Sequence, residues 1–133
     1  MIIVDTNVLI DILQNDPLWA PKSILALTEA IARGPLAINE IIYAELAAGF
    51  DDRATLDREL APLPLGWAIL GKDALALAGR AFRRYRRDGG AKSNVLADFF
   101  IGAQASVEGY GVLTRDTARY RTYFPEVQLL TTK

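Results

Sequence analysis

The 133-residue chain contains no cysteine and no histidine. The first absence excludes disulfide scaffolds, thiolate nucleophiles and ordinary structural zinc sites. The second removes every mechanism that uses an imidazole as general base, the Ser-His-Asp triad among them. Long hydrophobic runs are scarce too. The longest charge-free stretch, Leu60 to Gly71, contains Pro62 and Pro64 and is too short to span a bilayer, which takes about 20 apolar residues. The apolar N-terminus has no basic leader and is interrupted by Asp5 and Asp11, so it does not read as a signal peptide. A cytoplasmic protein without membrane contact is the expectation. If such a chain is a hydrolase, carboxylates must do the work, together with a hard metal that prefers oxygen ligands.

What is present suits a compact domain. Apolar residues make up 51% of the chain, and its length is that of one domain spanning residues 1–133. The net charge of −1 hides an asymmetry. Residues 1–79 carry 5 basic and 11 acidic side chains, a balance of −6, and residues 80–133 carry 10 basic and 5 acidic, a balance of +5. A basic second half hints at a polyanionic partner, although charged faces also simply solvate a domain.

The pattern along the chain alternates strand and helix. Met1-Ile2-Ile3-Val4 is a short apolar run of the kind buried on both faces of a parallel sheet. It stops at Asp5, and helical spacing then runs through Val8, Leu9, Ile12 and Leu13. Further helices are expected at Pro21–Arg33, from Asn39 to Gly49, and from Asp51 to before Pro62. Others are expected at Lys72–Asp88, from a cap at Ser93 or Asn94 through Val107, and at Thr117–Tyr123. Strands are expected at Leu36–Ile38, Gly66–Leu70, Gly111–Thr114 and Val127–Leu130. The alternation predicts a three-layer α/β/α sandwich around a central, mostly parallel sheet.

Four acids stand where they ought to cost energy. Asp5 ends the first strand, and Asp116 follows the fourth. Glu45 lies four residues beyond Ile41 and beside Leu46, on what reads as a largely apolar helix face. Glu40 is about 140° away round the same helix, so the two cannot both point inward. Asp98 stands one turn into its helix, directly before Phe99-Phe100-Ile101. Singly, each has a plain explanation: a cap for Asp5, a favourable charge near a helix N-terminus for Asp98, a loop acid for Asp116, an exposed face for Glu45. In a parallel sheet, however, all four fall at the same carboxyl edge, where ligands bind. Four like charges there repel by several kcal/mol unless a cation joins them. The constellation therefore predicts Mg²⁺ or Mn²⁺.

The motifs also resemble those of a known family. Asp5-Thr6-Asn7-Val8-Leu9-Ile10 is similar to the opening motif of the PIN-domain nucleases, and Ala44-Glu45-Leu46-Ala47-Ala48-Gly49 to their second acidic motif. Asp98-Phe99-Phe100-Ile101-Gly102-Ala103-Gln104-Ala105 resembles the third, and Leu113-Thr114-Arg115-Asp116 the last. The set runs in order across the whole chain and, with Phe124-Pro125 and the terminal strand, resembles the VapC-type toxins of toxin–antitoxin pairs. One departure is Gln104, near which many relatives carry histidine.

The resemblance implies a metal-dependent endoribonuclease. Asp5, Glu45, Asp98 and Asp116 would be the catalytic and metal-holding acids, acting through metal-activated water to leave a 5′-phosphate. Thr6, Asn7 and Thr114 would orient waters or the phosphate. Arg80, Arg83, Arg84, Arg86 and Arg87 are candidate RNA contacts, or equally a solvated helix face. A homodimer and a cognate antitoxin are further implications. Two alternatives stand beside this reading. Haloacid-dehalogenase-like phosphatases also open on a strand ending in a nucleophilic aspartate, but they carry a second aspartate where this chain has Asn7. Receiver domains need a late lysine that Thr114-Arg115-Asp116 does not offer. The other alternative, a non-catalytic PIN-fold binding module, would be favoured by loss of an acid, and all four are present.

Overall fold

A computed structural model describes residues 1–92 and 95–132. In chain order the elements are β1 (Ile2–Val4), α1 (Thr6–Leu13), α2 (Trp19–Ile31), β2 (Leu36–Ile38), α3 (Glu40–Ala47) and α4 (Arg53–Leu60). They continue with β3 (Leu65–Trp67), α5 (Lys72–Arg87), α6 (Leu96–Glu108), β4 (Gly111–Thr114), α7 (Ala118–Tyr123) and β5 (Leu129–Thr131). The five strands form one sheet in the order β3-β2-β1-β4-β5, and every pairing is parallel. Right-handed crossovers then put α1–α4 on one face and α5–α7 on the other. Packing agrees: α1 lies on α2 and α3, and α6 lies on α5 and α7.

The sheet core comes from β1, β2 and β4. Ile3, Val4, Ala37 and Val112 have no exposure at all, as continuous apolar runs between two helical layers require. The order reverses at β1, whose neighbours are β2 on one side and β4 on the other. Such a switch point opens a crevice at the carboxyl edge.

Several boundaries differ from the sequence expectation, each for a visible reason. Helix α2 starts at Trp19 because the Asp16 carboxylate accepts the Leu18 and Trp19 N–H groups at 2.9 and 2.8 Å. Pro21 is then harmless in the first turn, where an N–H has no helical partner. Strand β3 ends at Trp67 rather than Leu70. Beyond it the Leu70 N–H turns to the Glu40 carboxylate, and the Ala68 and Ile69 carbonyls accept from Gln104 Nε2. Strand β5 starts at Leu129, since the Val127 N–H closes a turn onto the Phe124 carbonyl. The expected cap at Ser93 or Asn94 lies outside the described residues.

Helix α6 carries the site's third acid, and two glycines set its placement. Gly109 ends it at φ 73°, a left-handed conformation that costs glycine little, and β4 begins two residues later. Gly102 faces the Phe124 ring so closely that a Cβ would collide with it. Gly102→Ala is therefore expected to destabilise the protein by roughly 1–3 kcal/mol, measured by urea unfolding, because buried Phe124 must shift. An unchanged midpoint would show that α6 and α7 tolerate being pushed apart.

Candidate active site

Asp5 follows the central strand directly, and Thr114 ends its neighbour. Register fixes their proximity: Val4 pairs with Leu113, and the Asp5 N–H donates to the Leu113 carbonyl at 2.8 Å. The backbone of Asp5 has the extended conformation of a helix cap, but its side chain makes no capping bond. Its Oδ2 instead accepts the Thr114 hydroxyl and the Tyr120 hydroxyl, each at 2.8 Å. Neither hydroxyl takes Oδ1. The residue is only 4% exposed. Burial pushes its carboxyl above the ordinary range against the pull of Tyr120, Thr114 and the Thr6 backbone, and the charge of Glu45 adds to the rise.

Asp98 arrives from the opposite face. Helix α6 starts at the carboxyl edge and runs back to feed β4, so its first turn hangs over the site. Burial and the charge of Asp5 lift the Asp98 carboxyl to about 6, with Asp116 adding to the rise. Its ion pair with Arg119, Nε to Oδ2 at 3.1 Å, works in the other direction. The favourable helix N-terminus therefore does not decide its state. Burial beside other acids does.

Glu45 requires a correction. It does not share the buried face of α3, which is Ile42 and Leu46, but is itself exposed. It is nonetheless held at the site, because the Thr6 hydroxyl donates to its Oε1 at 2.5 Å. Glu40 turns the other way, to the Leu70 N–H. Asp116 is exposed, and its Oδ1 accepts the Ala118 N–H at 3.3 Å. It is thus partly the helix-starting loop acid of its plainer reading, yet its charge still reaches Asp98.

The polar auxiliaries serve these acids. Thr114 Oγ1 donates to Asp5 and accepts from the Asp116 N–H at 3.1 Å and from Asn7 Nδ2 at 3.3 Å. Asn7 Oδ1 in turn accepts the Arg115 N–H at 3.2 Å. Among the described residues, no three carboxylates approach closely enough to hold an ion as their side chains stand. The coupling is electrostatic: Asp5 feels Glu45, and Asp98 feels Asp5 and Asp116. Tyr120 feels Asp5, Asp98 and Glu45.

The five arginines of α5 are all exposed, and among the described residues none pairs with a site acid. Arg84 stacks on Tyr123 of α7 at 4.7 Å and Arg86 on Phe82 at 5.8 Å. Two residues escaped the sequence reading, Arg119 and Tyr120. They stand three and four residues past Asp116, one turn on, and this spacing was the available signal. Tyr120 is 1% exposed, and burial together with the acids' charges pushes its phenol well above the usual range. It stays a donor and cannot act as a base. Tyr120→Phe is expected to leave Asp5 harder to ionise and, where Asp5 serves as a divalent-cation ligand, to weaken that binding by roughly 10–100-fold, as loss of a ligand's supporting partner does. Calorimetric titration with Mn²⁺ would show it, and unchanged affinity would make the hydroxyl mere packing.

A family model described as PIN domain matches residues 2–125. The chain belongs to the PIN-domain family. Solved structures share its fold over nearly their full lengths. VapBC2 of Rickettsia felis, bound to a promoter DNA fragment, aligns with a TM-score of 0.76 at 18% identity, covering 100% of both chains. DNA-bound VapBC of Salmonella typhimurium gives 0.69 at 20% identity, covering 99% and 98%. VapBC-1 of nontypeable Haemophilus influenzae gives 0.70 at 20%, covering 97% and 96%. Among curated proteins, none matches the sequence significantly. Among the described residues, no helix is long and apolar enough to cross a membrane.

Proposed function

We propose that this PIN domain is a Mg²⁺- or Mn²⁺-dependent endoribonuclease and the toxin of a toxin–antitoxin pair. The observation that carries the reading is the buried Asp5 carboxylate, whose Oδ2 is held by the Thr114 and Tyr120 hydroxyls and which stands in the field of Glu45 and Asp98. Proteins do not retain such a charge without a partner for it.

The donor set fits a hard divalent ion. It consists of carboxylate and hydroxyl oxygens, with no imidazole or thiolate in the chain. Mg²⁺ keeps several waters and takes only one or two carboxylates directly, so a cluster that is close but not in mutual contact suits it. Asp5 and Asp98 would hold it, with Glu45 and Asp116 completing the set through water. When bound, the ion supplies a lowered pKa for water and charge stabilisation at the phosphate. The chain's own residues do the rest. Tyr120 and Thr114 fix the Asp5 carboxylate, leaving Oδ1 for the ligand. Thr6 holds Glu45, and Asn7 and Thr114 brace the loop that carries Asp116. Attack of water on phosphorus breaks the P–O3′ bond and leaves a 5′-phosphate and a 3′-hydroxyl.

The antitoxin partner is supported by the neighbouring VapBC structures and by a toxin–antitoxin complex from Klebsiella pneumoniae with the same fold. A homodimer is part of the same proposal and rests on the likeness of the four motifs to the VapC-type family. The test is digestion of a mixed cellular RNA pool by purified protein in Mg²⁺, Mn²⁺ or chelator. Discrete metal-dependent fragments with 5′-phosphates are expected. Absence of cleavage under any metal would sink the nuclease reading and favour a silent binding module.

A further inference from the structure

A sheet edge that carries four acids repels the polyanion it is proposed to cut, so binding calls for fixed cations nearby. Among the described residues the α5 arginines form no ion pair with the acids, and Arg119 is engaged by Asp98. A different group is better placed. Arg115 lies between Thr114, which binds Asp5, and Asp116. Its guanidinium stacks on the Trp19 ring at 4.5 Å and reaches Asp11 Oδ1 at 3.4 Å. Its backbone is tied to Asn7. Asp11 is buried and also accepts the Ser23 hydroxyl at 3.0 Å. Lys22, one turn along α2 from Trp19, places its ammonium 5.0 Å from the same ring. One half-buried indole thus holds two cations beside the loop that carries the fourth acid.

We infer that Lys22 and Arg115, positioned by Trp19, grip the substrate's backbone phosphates next to the scissile bond. The inference rests on the ribonuclease reading above and deepens it. Arg115 uses one edge of its guanidinium on Asp11, and a planar group with five N–H donors keeps others for phosphate oxygens. Stacking and the ion pair fix it in advance, so little side-chain entropy is lost on binding. Contacts to phosphate position a strand and carry no sequence information. The grip therefore strengthens binding of all RNA sequences alike.

The experiment uses Asp5→Asn protein, which does not consume its ligand, and a fluorescent single-stranded RNA titrated across a range of KCl. Each phosphate contact contributes about 0.7 to the slope of log affinity against log salt for a single strand. Lys22→Ala is expected to weaken binding several-fold at low salt and lower the slope by about 0.7, and Lys22→Arg to restore both. Asp11→Asn combined with Arg115→Met keeps the buried site neutral and is expected to produce a loss of the same size. Thermal melting checks that each variant is folded, and Lys22, whose side chain makes no hydrogen bond or ion pair among the described residues, gives an answer even if the double variant unfolds. Affinity and slope unchanged in folded Lys22→Ala, in a parent that binds RNA, would overturn the inference alone and leave the cluster a clip between α2 and the loop. A parent that binds no RNA would overturn the ribonuclease reading and this one together.

Discussion

Asp5→Asn is expected to abolish cleavage and, in the same protein, to raise the stability of the metal-free fold at pH 7. The substitution keeps the shape of the side chain and an amide oxygen able to accept the Thr114 and Tyr120 hydroxyls, which both converge on Oδ2. It removes a buried charge whose desolvation is offset only in part by those bonds and the Thr6 backbone, and to which Glu45 adds repulsion. Loss of one preorganised electrostatic contact costs enzymes roughly 10²–10³-fold in rate, and loss of the proposed central ligand should cost at least that. Relief of the strained site should stabilise by roughly 1–2 kcal/mol, or about 4 °C per kcal/mol in melting temperature. The paired outcome matters. A variant that is inactive and also less stable would make Asp5 a structural residue, and its inactivity would say nothing about chemistry.

Metal-free protein is expected to lose stability as pH rises from about 4 to about 6. Asp98 has its carboxyl raised from 3.8 to about 6 by burial and by Asp5, so the folded chain holds a proton there that the unfolded chain has released. Stability from such a group is fully present below the unfolded value and fades as pH climbs through the folded one. A carboxyl raised from 3.8 to about 6 corresponds to at most about 3 kcal/mol. Asp5, shifted in the same direction, adds to the effect. Urea unfolding at a series of pH values in chelator would show the slope, and Asp98→Asn should flatten it. Saturating Mg²⁺ should reverse it, because the ionised acids then bind a cation that the unfolded chain does not, worth about 2.7 kcal/mol at a hundred times the dissociation constant. A pH-independent stability across that window would mean that the acids are solvated rather than gathered.

How much of this was legible in the sequence depends on burial. Strands β2 and β4 were read to the residue, and β1 to within one, because central strands are apolar on both faces. Strands β3 and β5 are the sheet's edges, partly exposed, and their apolar runs overshoot because packing rather than pairing claims residues such as Val127. Asp5 and Asp98 stood out because each interrupts an apolar setting. Glu45 was found for a partly mistaken reason: a helix one residue out of phase looks the same in sequence, and only its bond to Thr6 reveals its direction. Tyr120 and Arg119 were not legible. The Tyr120 bond to Asp5 spans 115 positions, and no local pattern in a six-residue helix announces a partner that distant.

The central claim is that these acids, held apart but in one another's field, exist to hold a divalent cation. Its most direct test is titration of purified protein with Mn²⁺, following the free ion by electron paramagnetic resonance, beside Asp5→Asn and Asp98→Asn variants shown to be folded. Saturable binding by the native chain, lost in the first variant and weakened in the second, is the predicted result. No binding, or binding indifferent to both substitutions, would contradict it.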